Sequence, residues 1–281
     1  MTERRVTIIS GGTQGLGEAV ARRLATTTSA ALVLVGRSED LGRTLAASLT
    51  AEGTPTTFIR ADVAETNAPQ HIVDAAIEEF GTVHNLVNVA ALTTRRTVFS
   101  DTIEHFDAMF AVNARAPYFL AQAVVGVMLA QGVAGSIVNV GSTTGHGGQG
   151  KLTAYAMSKG ALAVLTKNLA AGLMRHGIRV NQVNPGWMET DSEHFTQVVQ
   201  DGAPENWLET AAASRPFGRL VQPWEVANLI AFCLSADAGL LTGAVIDVDQ
   251  SVLGGGEPAV PRPEDTVWPP SAGLADLEES T

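Results

Sequence analysis

Short apolar runs rich in Val, Ile, Leu and Ala return along roughly the first 250 residues, and between them apolar positions recur every three or four residues. The runs cover residues 6–10, 31–35, 57–61, 83–89, 136–141, 178–183 and 243–249. Apolar side chains on successive residues leave neither face of a strand polar, as expected of strands covered on both sides. The intervening period fits helices from a glycine turn to about residue 25, and over 69–80, 107–130, 152–176 and 223–234. Strand and helix in alternation predict an α/β fold: one doubly wound parallel sheet of about seven strands, with helices on both faces.

Helix ends carry their own signals. Gly81 and Gly177 stand where two helices should stop, and His176 is favourable in a last turn. Pro223 suits a first turn. Pro117, inside 107–130, predicts a kink or a restart. Residues 191–214 mix polar and aromatic side chains, among them His194, Phe195, Trp207 and Leu208, and suit either a lid over a pocket or an ordinary helical excursion. From Gly254, Gly255 and Gly256 the chain turns proline-rich, through Pro258, Pro261, Pro263, Pro269 and Pro270. The expected division is therefore one domain over 1–253 and an extended tail over 254–281.

Composition narrows the partners. Of 281 residues 45% are apolar, enough for a well-buried core, and the net charge is −11 from 18 basic and 29 acidic residues. Basic residues cluster only in pairs such as Arg4 with Arg5 and Arg95 with Arg96, which argues against nucleic acid or an anionic membrane. Cys233 is the single cysteine, expected as a buried thiol in a reducing cytoplasm. Met1 to Arg5 lack the apolar core of a signal peptide, no apolar run reaches membrane-span length, and the six His show no ligand spacing that predicts a metal.

Candidate chemistry begins after the first strand, where Gly11, Gly15 and Gly17 lie between strand and helix. That arrangement sets backbone N–H groups and a helix N-terminus against a pyrophosphate, or makes a tight turn without ligand. Arg37, twenty residues past Gly17, follows the second strand. Its planar fork suits a ribose 2′-phosphate, which favours NADP(H), with NAD(H) possible because Glu39 and Asp40 follow and Gln14 adds no second cation. Asp62 and Val63 follow the third strand, as an acceptor and an apolar wall for adenine or as a plain helix entry. Asn88 and small residues such as Ala90 at the fourth strand's edge leave room for a ribose.

Tyr155 and Lys159 are four apart, one helical turn on one face. A tyrosine titrates near ~10, and an ammonium beside it is expected to favour the phenolate; a drop of about 3 units corresponds to roughly 4 kcal/mol. The alternative is a surface pair, ring packed on lysine stem. Ser142 ends an apolar strand, so its hydroxyl can meet the same substrate oxygen. Val140 stands where a hydrolase elbow needs glycine. Asn113, out of place in a helix, either holds a water beside Lys159 or satisfies a kinked turn.

The glycine spacing, then Asn88, Asn113, Ser142, Tyr155 with Lys159, and Pro185 with Gly186, occur in one fixed order that resembles the short-chain dehydrogenase/reductase family over residues 5–252. The resemblance implies a Rossmann-like sheet and a catalytic tetrad of Asn113, Ser142, Tyr155 and Lys159, with Lys159 also bonding the nicotinamide ribose. It implies cofactor contacts from Gly11, Thr13, Gln14, Gly15, Leu16, Gly17, Arg37, Ser38, Asp62, Val63, Asn88, Ala90, Pro185, Gly186, Met188 and Thr190, and a homotetramer joined through the helices over 107–130 and 152–176. Three positions depart from the family pattern: Ser10 for Thr, Ala91 for Gly, and Gln250 and Ser251 after Asp249 for two glycines. The runs at 184–188 and 245–251 are similar to those of sugar- and polyol-oxidising members. Trp187, His146, Gln149 and His194 are candidates for a polar substrate pocket, or for loop and lid packing. A non-catalytic NAD(P) sensor and an assembly scaffold are the competing readings.

Overall fold

The computed structural model describes residues 4–27 and 30–251. It begins with β1 (Arg5–Ser10), α1 (Gly15–Ala25), β2 (Ala30–Gly36), α2 (Glu39–Ala51), β3 (Thr56–Arg60), α3 (Ala68–Phe80) and β4 (Asn85–Asn88). It continues with α4 (Ile103–Phe110), α5 (Ala116–Gln131), β5 (Ser136–Val140), α6 (Thr153–Leu173), β6 (Arg179–Pro185), α7 (Asp191–Phe195), α8 (Trp207–Ala213), α9 (Pro223–Leu234) and β7 (Val245–Val248).

The double burial read from the sequence is visible in β2, whose Leu32 and Leu34 enter the core on one face while Ala31, Val33 and Val35 enter it on the other. On the first face α1, α2 and α9 close over the sheet with Leu16, Val20, Leu49, Val226 and Ile230. On the second, α3, α5 and α6 do so with Ile72, Leu120, Val124, Met128 and Ala170. Each fully buried Leu, Ile or Val contributes roughly 1.5–3 kcal/mol. All strands are parallel, in the order β3-β2-β1-β4-β5-β6-β7. The chain winds outward from β1 to β3, then returns to β4 and winds the other way. A crevice opens where that order reverses, beyond the carboxyl ends of β1 and β4.

Several boundaries differ from those the sequence predicts. The helix expected over 107–130 starts earlier, at Ile103, because the Thr102 hydroxyl caps it by accepting from the His105 N–H at 3.2 Å. It then widens into a π-helical turn, Ala111–Arg115, before α5. Pro117 has no N–H to bond the Asn113 carbonyl, so the regular ladder breaks before the proline and restarts as α5. The helix expected over 152–176 ends its α-helical part at Leu173 and tightens into a 3₁₀ turn before Gly177 closes it with φ 69°. The runs at 83–89 and 243–249 shorten to the paired residues of β4 and β7. Residues 191–214 hold α7, a second π-helical turn (Thr196–Gln200) and α8.

By internal contacts the chain divides into a compact unit, Met1–Asp249, and a second, Gln250–Thr281. The expected tail over 254–281 lies outside the described residues. Among the described residues no helix is long and apolar enough to cross a membrane.

Candidate active site

A cleft of about 450 Å³ occupies the crevice. Its floor is the glycine turn. The Ser10 carbonyl accepts from the Val89 and Ala90 N–H groups at 3.1 and 3.0 Å, which draws the start of the β4 loop onto the turn. Gly11 adopts φ 70°, and a Cβ there would stand 2.7 Å from the Ala90 nitrogen. A Cβ on Gly17 would run into the Gly11 carbonyl oxygen, so only glycine lets α1 start this close to β1. Gln14 precedes α1 without a side-chain cap, which leaves the first-turn N–H groups as open donors at the positive end of the helix. Thr13, Gln14, Gly15, Leu16 and Gly17 all line the cleft. Bare donors, absent side chains and a helix N-terminus fit the pyrophosphate of a dinucleotide.

Arg37 and Ser38 form one end of the cleft with Asp62 and Val63. The exposed Arg37 guanidinium lies 3.8 Å from the Asp62 carboxylate. Asp62 Oδ1 accepts from the Ala64 N–H at 2.9 Å, so the residue makes its turn and still faces the cleft. Asn88 departs from expectation. It is buried, its amide donates to Asn139 Oδ1 at 2.9 Å, and the cleft wall is made by Val89, Ala90, Ala91 and Leu92 instead. Asn88 joins β4 to β5 because its side chain points into the sheet rather than out of its end.

Ser142, Tyr155 and Lys159 meet at the opposite end. Ser142 follows β5, and its hydroxyl accepts from the Thr144 N–H at 3.2 Å and lies near enough to Tyr155 to favour its phenolate. Lys159 is buried one turn below Tyr155, donates to the Val140 carbonyl at 2.7 Å, and holds its ammonium 5.8 Å from the Tyr155 ring centre. The expected lowering of the Tyr155 pKa is not what the protein produces. Desolvation pushes the phenol up to about 12, opposed by the nearby Ser142 hydroxyl and aided by the Glu193 carboxylate. Burial likewise pushes Lys159 down to about 8. Desolvation outweighs the lysine's field at this distance.

Asn113 lies in the π-helical turn, fully buried and behind the cleft wall rather than in it. Its Oδ1 accepts from the Leu92 N–H at 2.8 Å, and its Nδ2 donates to the Leu92 carbonyl at 2.9 Å and the Ser158 hydroxyl at 3.0 Å. These bonds satisfy the amide within the irregular turn and tie the β4 loop to the residue preceding Lys159.

Pro185, Gly186, Met188 and Thr190 line the remaining wall, and the Thr190 hydroxyl caps α7 by accepting from the Glu193 N–H at 3.0 Å. Of the four candidates for a polar pocket, none lines the cleft. Trp187 stacks on Trp207 with ring centres 5.9 Å apart, and Trp207 Nε1 donates to His194 Nδ1 at 2.9 Å. His146 Nε2 lies 3.0 Å from both Asp247 oxygens, and with Gln149 borders a separate, shallow cavity. Leu92, Val112 and Ser192 line the cleft without having been singled out, nor were Arg95 and Glu193 beside it. They lie on loops and helix faces with no motif, brought in by the tertiary fold.

A twisted parallel sheet with a glycine-lined cleft at its switch point and a Ser–Tyr–Lys cluster at the cleft's end defines a nicotinamide-dependent oxidoreductase. The comparisons with known proteins agree. A family model described as "Enoyl-(Acyl carrier protein) reductase" matches residues 11–252. The chain is 38% identical to 4-formylbenzenesulfonate dehydrogenase of Comamonas testosteroni, over 88% of this chain and 96% of that one. It is 33% identical to 2,3-dihydro-2,3-dihydroxybenzoate dehydrogenase of Bacillus subtilis (88% and 95% covered) and 31% identical to galactitol 2-dehydrogenase of Agrobacterium fabrum (87% and 96%). A crystal structure of a variant actinorhodin polyketide ketoreductase with NADPH superposes with a TM-score of 0.81 at 30% identity, over 88% of this chain and 96% of that one. The chain belongs to the short-chain dehydrogenase/reductase family. It is accordingly an NAD(P)-dependent enzyme acting on CH–OH groups.

Proposed function

We propose that the protein interconverts a secondary alcohol and its carbonyl compound, a sugar or polyol by preference, using NADP(H) ahead of NAD(H). The observation that carries this reading is the meeting of Ser142 and Tyr155 at the end of a glycine-floored cleft, with buried Lys159 one turn below. When bound, the nicotinamide supplies or takes the hydride. The residues suited to hold it are the glycine turn with Thr13, Gln14 and Leu16 for the pyrophosphate, and Arg37 and Ser38 for the adenosine ribose. Asp62, Val63 and Ala90 suit the adenosine, and Pro185, Gly186, Met188 and Thr190 the carboxamide end.

The chain's own groups manage the proton. Ser142 and Tyr155 present two hydroxyl donors to one substrate oxygen, which suits an oxygen gaining negative charge. Tyr155, its pKa pushed up to about 12, is a protonated acid at neutral pH and gives its proton to that oxygen in the reducing direction. Lys159 holds a positive charge beneath the phenol and favours the phenolate left behind. Asn113 fixes the loop at Leu92 against the helix carrying both. Support for NADP(H) is Arg37 in the cleft wall, and support for a sugar or polyol is the likeness to galactitol 2-dehydrogenase together with the runs at 184–188 and 245–251. A cytoplasmic homotetramer completes the reading, on the single buried Cys233 and the exposed apolar residues of α6.

The test is Tyr155→Phe assayed against a panel of ketoses, polyols and ketones with each cofactor. Turnover should fall by a factor of at least about a thousand with cofactor affinity retained. Near wild-type rates would remove Tyr155 from proton transfer. A wild-type protein that binds NADP(H) yet turns over nothing in the panel would be the sensor instead.

A further inference from the structure

We propose that Glu193 selects the substrate: its carboxylate accepts a hydrogen bond from a hydroxyl of a neutral, hydroxyl-rich substrate and repels anionic ones. This rests on the oxidoreductase reading above and adds a specificity-determining residue to it.

Glu193 stands on α7 beside Ser192 and three residues after Thr190, both in the cleft wall. Across the mouth, Arg95 lies two residues after Thr93, also in the wall. The Arg95 guanidinium donates to Glu193 Oε1 at 2.7 Å and to the Asp201 carboxylate, so α7 and the turn after it are pinned to the β4 loop. Trp187 Nε1 and Gln197 Nε2 donate to the same Oε1, each at 2.7 Å. Three donors converge on one oxygen, and among the described residues none donates to Oε2. The side chain is only 17% exposed and stands just behind the cleft-lining Thr190 and Ser192, and its second oxygen, with no protein donor among the described residues, is the acceptor offered to a substrate hydroxyl. The Glu193 charge also helps to raise the Tyr155 pKa, in keeping with that placement. Arg95 does not offset this for an anion. It faces two carboxylates, Glu193 and Asp201, which leaves the trio net negative, and an anionic substrate would have to draw it away from both.

The experiment uses a ligand pair differing in one group, L-sorbose and 5-keto-D-gluconate, where a hydroxymethyl becomes a carboxylate. Each is titrated calorimetrically into the Tyr155→Phe protein saturated with oxidised cofactor, a background that lacks the phenolic proton carrier, so binding is read without turnover. With Glu193 in place the protein should bind the ketose at least about tenfold tighter, and added salt should narrow the gap by screening. Glu193→Gln keeps an acceptor for Arg95, Trp187 and Gln197 while replacing Oε2 by a donor, and should bring the pair within about threefold of each other with cofactor affinity retained as the check on folding. Equal or tighter binding of the ketogluconate would assign Arg95 as an anion receptor and overturn the proposal. So would binding of neither ligand, or an unaltered ratio in Glu193→Gln. Failure of the oxidoreductase reading shows separately, as absence of Tyr155-dependent turnover.

Discussion

At the scale of single residues the site turns on two desolvated groups, half-buried Tyr155 and buried Lys159, whose charged forms the protein works against. Lys159 is the clearer case. Below about pH 8 it is charged in both folded and unfolded chains, and the folded chain bears the full desolvation cost. As pH rises from about 8 towards the ordinary 10.5, the folded form loses its proton first and that cost fades. The shift corresponds to ~3 kcal/mol, less ~1 kcal/mol for the Val140 hydrogen bond. Lys159→Met should therefore stabilise the cofactor-free protein by about 2 kcal/mol at pH 7 while abolishing turnover. Urea unfolding across pH 7 to 10 checks both the sign and the narrowing of the gap above pH 8; a variant less stable than the wild type at pH 7 would contradict it. Arg37 offers a second residue-scale test. Its guanidinium is free to turn from Asp62 to a 2′-phosphate, so Arg37→Asp should lower the NADP(H) over NAD(H) preference at least about tenfold, and an unchanged ratio of kcat/KM values would remove it from that role. Spacing made Tyr155, Lys159 and Ser142 legible in the sequence. The sign of the tyrosine shift was not, because it depends on burial, which segments far apart in the chain create together.

At the scale of elements the informative feature is the break between α4 and α5. The sequence marks it twice, with Asn113 where a helix disfavours it and Pro117 where an N–H is missing. It does not show which side of the proline yields, or that the yielding turn opens into a π-helical one carrying Asn113 to Leu92 and Ser158. The extra residue in that turn lets the amide span two segments that a regular helix would not bring within its reach. Pro117→Ala restores the N–H and allows the i−4 bond to the Asn113 carbonyl, which favours a regular turn. The expected outcome is a melting temperature equal to or above the wild type's, with kcat reduced at least several-fold as the β4 loop loosens. Unaltered kcat would show that the irregular turn does no work in the site. Asn88 teaches the complementary lesson. Its position at a strand end was readable, but whether its side chain faced the cleft or Asn139 depends on which way the last residue of β4 points, and period-two patterning gives no answer in a strand buried on both faces.

At the scale of the whole molecule, seven apolar runs and their spacing were enough to anticipate the sheet and where it opens, since parallel strands with crossover helices admit few arrangements. What covers the outer faces was harder to read, because helices hydrophobic nearly all round show no polar side. Met157, Val164 and Ala171 recur every seven residues along α6 and are exposed, Val164 by 61%; on α5 Tyr118 and Phe119 are about half exposed as well. Apolar stripes of this kind on a folded unit are usually covered by another chain. With the family resemblance, that makes a second copy docking along α5 and α6 the expected partner, and a tetramer the expected assembly. A charge in the middle of such a stripe would be buried without a partner in the assembly yet remain solvated in an isolated chain. Val164→Glu should therefore leave the far-ultraviolet circular dichroism unchanged while light scattering at micromolar concentration shows a smaller species than the wild type. A wild-type protein that is already monomeric, or a variant that stays tetrameric, would place the contact elsewhere.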